Sequence, residues 1–262
     1  MPAPPMRITV LGSGTSVGVP TIGCHCEVCT STDPRDNRMR PSVLVSYAGR
    51  NVIIDTTPDF RTQALRARID RLDAVVFTHS HADHLMGLDD VRPFNFRQPA
   101  GIPIYASAPT MAAVQRCFPY IFDNSKKESN VPRLEPHVID TAAFDVLGLS
   151  FLPVPILHGS QIIFGYRFGN AAYLTDHSRI PDESLELLRD LDVLFLDALR
   201  YKPHPTHSTV EQSVATVETL APRRAFFTHI CHDLAHERDG SLLPPHIRLA
   251  YDGLEIDIEG RE

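Results

Sequence analysis

Tryptophan is absent from the 262 residues, and cysteine occurs only five times. No apolar run approaches the roughly 18 residues that a membrane-spanning helix needs. The start, MPAPPMRITV, has neither the basic segment nor the apolar run of a secretory signal. Five cysteines are also too few for a secreted disulfide scaffold, so a soluble, cytoplasmic protein with thiols or thiolate ligands is expected. Positive charge is not in excess either. Lys and Arg number 25 against 32 Asp and Glu, a net charge of -7. That balance argues against a surface that coats nucleic acid by releasing counterions, while a small anionic substrate can still bind in a local pocket.

What is present points to a folded domain that does metal chemistry. A composition of 43% hydrophobic and 22% charged residues in a chain of this length buries roughly three quarters of its unfolded surface. Thirteen histidines, and three cysteines within six residues, are the two compositional signs of metal. No linker divides the chain, so residues 1–262 are expected to form one domain. The 22 prolines mark loop boundaries.

Apolar alternation predicts strands at Ile8–Leu11, Val43–Tyr47, Asn51–Asp55, Ala74–Phe77, Ile104–Ala106, Leu149–Ile156, Ile162–Phe168, Ala171–Thr175, Val193–Leu196, Ala225–Thr228 and Leu254–Ile258. Helices are expected over Asp59–Arg68, Thr110–Phe118 with Thr110 as cap, Pro181–Leu191, and up to Leu220 from a capping box Ser208-Thr-Val-Glu211. Leu85–Asp89 reads as a helix start, and Gly12-Ser13-Gly14-Thr15-Ser16 as a turn presenting backbone N–H groups. The order of hairpins followed by alternating strands and helices occurs twice, before and after about residue 145. An α/β (α+β) arrangement of two sheets with outer helices follows.

The sharpest motif is Thr78-His79-Ser80-His81-Ala82-Asp83-His84, directly after a strand. A lone surface histidine is ordinarily just solvated, but four donors in one short loop suit divalent zinc, manganese or iron, and can serve two ions. His158, Asp176 and His229 each close a later apolar run, where α/β proteins gather their sites.

With Asp55 ending an early strand, the H-x-H-x-D-H loop, and then His158, Asp176 and His229 in order, the chain resembles the metallo-β-lactamase superfamily over nearly its whole length. The resemblance implies a four-layered αββα sandwich with two divalent ions, manganese or zinc, at one edge. It implies that His79, His81 and His158 hold one ion, that Asp83, His84 and His229 hold the other, and that Asp176 bridges them. Asp55 is expected to orient a metal-binding imidazole, and Asp197 is a weaker candidate for such a role. A bridging carboxylate is similar to the phosphodiesterase and glyoxalase branches.

Gly23-Cys24-His25-Cys26-Glu27-Val28-Cys29 supplies three thiolates of a tetrahedral structural zinc in a loop at about 23–40, with His232, Cys231 or His25 as fourth ligand. The pairing of this cluster with His232, three residues after His229, resembles the phosphoribosyl 1,2-cyclic phosphate phosphodiesterases of the carbon–phosphorus lyase pathway. Cys117 reads as core. The same subgroup implies a role for His207 near the leaving group, with His204 as fallback. Just before a helix N-terminus, His207 needs a neighbouring carboxylate or phosphate to favour the charged imidazole that donates a proton.

The resemblance thus implies a metal-dependent hydrolase of small cyclic phosphodiesters. The expected attack is by a metal-bridging hydroxide, with His207, Asp83 and Asp55 serving the reaction. Alternatives are a nucleotide or tRNA 3′-end phosphodiesterase, a thioester hydrolase resembling glyoxalase II, and a non-catalytic metal-binding module. The coenzyme PQQ biosynthesis protein shares the cysteine cluster but departs from the H-x-H-x-D-H loop. Arg92 or Arg97 is a candidate clamp for a second phosphate. Residues 93–140 are a candidate lid, centred on 119–136, or a dimer contact, and a homodimer is expected from family resemblance.

Overall fold

The computed structural model describes residues 5–123 and 130–260. The strands are β1 Met6–Gly12, β2 Ser42–Tyr47, β3 Arg50–Ile54, β4 Ala74–Val76, β5 Ile102–Ser107, β6 Leu134–Ile139, β7 Phe144–Val146, β8 Leu149–His158, β9 Gln161–Phe168, β10 Ala171–Leu174, β11 Val193–Asp197, β12 Arg224–Thr228, β13 Ile247–Leu249 and β14 Glu255–Ile258. They form two mixed sheets of seven, ordered β14-β1-β2-β3-β4-β5-β6 and β13-β12-β11-β10-β9-β8-β7. The change of sheet falls between Ile139 and Phe144, close to the expected break. Among the described residues only β14 crosses back, pairing antiparallel with β1.

Period-two alternation builds the layers. In β3, Val52 and Ile54 face the second sheet while Ile53 faces the helices outside; in β11, Val193 and Phe195 face inward and Leu194 and Leu196 outward. The inward residues of both sheets make one core. Phe60, Leu85, Met111 and Val114 cover the outer face of the first sheet, and Leu188, Val210, Val217 and Leu220 that of the second. Helix, sheet, sheet and helix therefore stack as an αββα sandwich, as expected.

Helix boundaries shift for local reasons. The last long helix is Val210–Leu220, and its capping box is Thr209 with Gln212, one residue later than the Ser208–Glu211 reading. Ser208 is instead tied back by its N–H to the His177 carbonyl. The helix over Ala108–Cys117 begins after Ser107, and Thr110 lies inside it, accepting from the Ser107 hydroxyl at 3.0 Å. The helix after Pro181 covers only Asp182–Glu186, and the Arg167 guanidinium takes the carbonyls of Leu187 and Arg189.

Of the segment 93–140, residues Ile102–Ser107, Ala108–Cys117 and Leu134–Ile139 are built into the first layer as β5, a helix and β6. Residues 124–129 of the candidate lid lie outside the described residues. No helix of the described residues is long and apolar enough to cross a membrane.

Candidate metal centre

The C-terminal ends of β3, β4, β8, β10, β11 and β12 converge on one edge of the sandwich, and each delivers a polar side chain. After β4 the chain passes Thr78 and His79 into a single helical turn, Ala82–Leu85, which carries Asp83 and His84 inward and leaves His81 exposed just before it. That turn seats tightly: a Cβ on Gly87 would meet the Thr57 carbonyl at 1.9 Å. Asp55, Asp176 and His229 all have left-handed backbone, with φ of 67°, 57° and 57°. Such a kink at a strand end is uncommon for residues with a Cβ. It turns the chain out of each ladder as the side chain reaches the site.

Two donor sets share Asp176, and Asp197, His207 and His229 bring a third group of ligand atoms within 4.8 Å of one another. His79, His81, His158 and Asp176 offer ligand atoms within 4.8 Å of one another, and so do Asp83, His84, Asp176 and His229. His84 Nε2 lies 3.2 Å from both Asp83 and Asp176. His229 Nε2 lies 3.3 Å from Asp176 and 3.7 Å from Asp83.

The donor chemistry fits cations. Nε2 of His79, His84 and His229 and Oδ2 of Asp83 are buried without a hydrogen-bond partner in the protein, a costly state unless an ion takes their lone pairs. Electrostatics point the same way. Burial lowers the imidazoles, yet the charges of Asp176 and Asp83 outweigh it, raising His229 to about 9 and His84 well above its ordinary value. His79, buried and beside His84, is pushed well below. Two carboxylates in this enclosure thus call for positive charge, which divalent ions supply.

Supporting groups hold several rings. Asp55 Oδ2 accepts from His84 Nδ1 at 2.7 Å and from the Thr78 hydroxyl at 2.7 Å, and Oδ1 accepts from the Thr78 N–H at 2.8 Å. His158 Nδ1 donates to the Thr206 carbonyl at 2.8 Å. These bonds leave Nε2 of each ring for a ligand.

His207 lies at the same edge, stacked on His229 with centroids 4.6 Å apart and edge-on to His158 at 4.9 Å. Its Nδ1 donates to fully buried Asp197 at 2.7 Å. Asp197 therefore meets the histidine expected near the leaving group, and it is the carboxylate that histidine required. His204 stands 5.0 Å from the His207 ring and is held by the Thr206 hydroxyl. His177 is buried with Nε2 against the Ser208 hydroxyl at 3.1 Å, and burial pushes it down to about 4.

A second cluster lies nearby. His232 Nδ1 is 3.2, 3.5 and 3.4 Å from the sulfurs of Cys24, Cys26 and Cys29, near the roughly 3.5 Å that Zn–S and Zn–N bonds impose in a tetrahedron. Cys231 is outside this group: its sulfur accepts from the Asp233 N–H, and burial raises the thiol to about 11. His25 is exposed and also outside it. Cys117 is exposed too, so the core reading of that residue is corrected: it falls on the solvent side of its helix.

One feature differs from the sequence reading. The N–H groups of Ser13, Gly14 and Thr15 are consumed internally by Asp252, Met39 and Ile230. That turn braces the loop after His229 instead of presenting donors. Arg92 donates to the Asn130 carbonyl at 3.1 Å beside Asp89, and Arg97 is exposed. Sequence reasoning also left unassigned Thr78, Thr206 and Arg38. The last is fully buried and clips the carbonyls of Cys231 and Leu234 to Asp36, tying the cysteine loop to the His232 loop.

An αββα sandwich whose edge gathers adjoining donor sets able to hold cations is the architecture of a metal-dependent hydrolase. Residues 50–230 match the model of the beta-lactamase superfamily domain. A solved structure described as a new diphosphatase from the PhnP family is 54% identical, with a TM-score of 0.92 and 97% of each chain covered. The chain belongs to the metallo-β-lactamase superfamily and, within it, to the PhnP family. An octanoyltransferase of Porphyromonas gingivalis is 40% identical over 97% of this chain, which spans 52% of that protein's length. Zinc-bound PqqB from Methylobacterium extorquens, 20% identical with a TM-score of 0.78 over 96% of this chain and 100% of its own, shares the fold.

Proposed function

We propose that this chain is a phosphodiesterase that opens a small anionic cyclic diester, such as a phosphoribosyl 1,2-cyclic phosphate. The observation that carries the reading is the Asp197–His207 pair, whose ring packs on His229 and His158 at the edge of the metal donors. Ring opening of a cyclic diester expels an alkoxide, which must take a proton as the P–O bond breaks; a positioned acid speeds such a step.

In this reading His79, His81, His158 and Asp176 hold one divalent ion, manganese or zinc, and Asp83, His84, His229 and Asp176 a second. When bound, the ions supply Lewis-acid charge and lower the pKa of a water. His207 gives the proton from Nε2 while Asp197 holds Nδ1, so the ring keeps one orientation. Asp55 keeps His84 aimed, and the Thr206 carbonyl keeps His158 aimed. Cys24, Cys26, Cys29 and His232 hold one structural zinc. The setting is cytoplasmic, the assembly a homodimer and the partner a small metabolite; sedimentation of the purified protein tests the dimer.

A second reading is favoured by the 54% identical diphosphatase: a diphosphate whose leaving phosphate needs less help from an acid. A manganese-loaded sample offered an aryl phosphodiester, its monoester, a ribose 1,2-cyclic phosphate, a 2′,3′-cyclic nucleotide, a nucleoside diphosphate sugar and a glutathione thioester decides. Turnover led by the ribose cyclic phosphate supports the first reading. Turnover led by the diphosphate sugar replaces it with the second, and thioester turnover alone sinks both.

A further inference from the structure

Asp197 has two carboxylate oxygens, and the bond to His207 uses one. Oδ2 accepts from His207 Nδ1, whereas Oδ1 is buried with no partner in the protein. Thr228 Oγ1 and His229 Nδ1 are buried and unpartnered as well.

The fold makes these three groups neighbours. Asp197 ends β11, Thr228 ends β12, and the two are register partners in a parallel ladder. Phe195 and Phe226, two residues earlier on each strand, both point into the core between the sheets, so Asp197 and Thr228 share that inward face. His229 follows Thr228 and turns Nε2 toward Asp176 and Asp83, which leaves Nδ1 on the far edge of the ring. A ring nitrogen of His229 and a carboxylate oxygen of Asp197 lie within 4.8 Å of each other. That is too far for a direct bond at the upper end, and within the span of two hydrogen bonds through one water. A buried water ordinarily finds about three polar partners, and three buried polar atoms without a protein partner stand at these two adjacent strand ends.

We infer that one buried water accepts the Nδ1 proton of His229, donates to Oδ1 of Asp197 and shares a hydrogen bond with the Thr228 hydroxyl. Asp197 is then a positioning residue for two rings at once: His207 directly, and His229 through the water. The link fixes the His229 tautomer with Nε2 free for the ion, as the Asp55 bond does for His84. The inference rests on His229 being a metal ligand, and it is independent of which phosphate ester is cleaved.

The test is metal affinity, read by competition of the manganese- or zinc-loaded protein with a chromophoric chelator. Thr228→Val keeps the shape of the side chain and removes one partner of the water; Asp197→Asn removes the acceptor charge. Both are expected to weaken binding of the ion that His229 would hold by about 10- to 100-fold, the usual effect of losing a group that orients a ligand. Wild-type affinity in Thr228→Val, with its folded spectrum and melting temperature unchanged, overturns the inference while leaving the metal site standing. A wild-type protein that binds no ion at this site overturns both. A high-resolution crystal structure of the metal-loaded protein reads the same point directly, by density between the three groups or its absence.

Discussion

His84 gives its Nδ1 proton to Asp55 Oδ2 across 2.7 Å, and neither side chain has any exposure. Burial pushes the Asp55 carboxyl up, while His84 beside it pulls the other way. The carboxylate accepts three hydrogen bonds, one from His84 and two from Thr78. In Asp55→Asn the amide NH2 must face a donor whichever way it turns. The left-handed backbone at 55 suits Asn, so the loss is local. Metal affinity should fall about 10- to 100-fold, measured by chelator competition, with about 1–3 kcal/mol of stability lost in urea unfolding.

His207→Ala removes the proposed proton donor. Turnover of a diester with an alkoxide leaving group should fall by about 10²- to 10⁴-fold, and turnover of the matching nitrophenyl diester far less. Equal losses on the two substrates would remove His207 from that role.

The cysteine cluster should carry one zinc per chain by elemental analysis, apart from the paired site. Cys26→Ser should lose it and lower the melting temperature by at least about 5 °C, since 1 kcal/mol corresponds to roughly 2–4 °C at this size and structural zinc contributes several kcal/mol. Because His232 lies three residues beyond His229, the variant should also loosen the paired ions; an unchanged melting temperature would show that the thiolates do not brace the fold.

Buried tyrosines, Tyr47 and Tyr166 alongside Tyr173, set an alkaline limit. Tyr47 donates to the Val146 carbonyl and Tyr166 to the Phe77 carbonyl, and burial raises both above the ordinary phenol value. Unfolded, each ionises near pH 10; folded, each keeps its proton. Their contribution is therefore complete below about pH 10 and is lost as pH rises beyond it. Phenolate absorbance should appear together with unfolding, and Tyr47→Phe should shift the midpoint to higher pH. Phenolate signal from both tyrosines in a folded protein at pH 10 would refute this.

Much of the site was legible because metal ligation demands particular residue types at short spacing. The H-x-H-x-D-H loop declared itself, and His158, Asp176 and His229 stood out as polar residues closing apolar runs. The strands β6, β7 and β13 did not. Leu134–Ile139 carries Glu135, Pro136 and His137 and is largely exposed, so it has no buried alternation to read, and Phe144–Val146 and Ile247–Leu249 are only three residues long.

By itself the sequence determined which residue types could bind ions, which segments alternate, and that the chain suits an αββα sandwich. Only the tertiary structure decided which donors stand together, that Asp55 accepts from His84, that Asp197 accepts from His207, and that His232 rather than Cys231 lies among the three cysteine sulfurs. The reason is that those pairings span 10 to 208 positions of chain. They depend on strand register and on left-handed turns at strand ends, and residue spacing encodes neither.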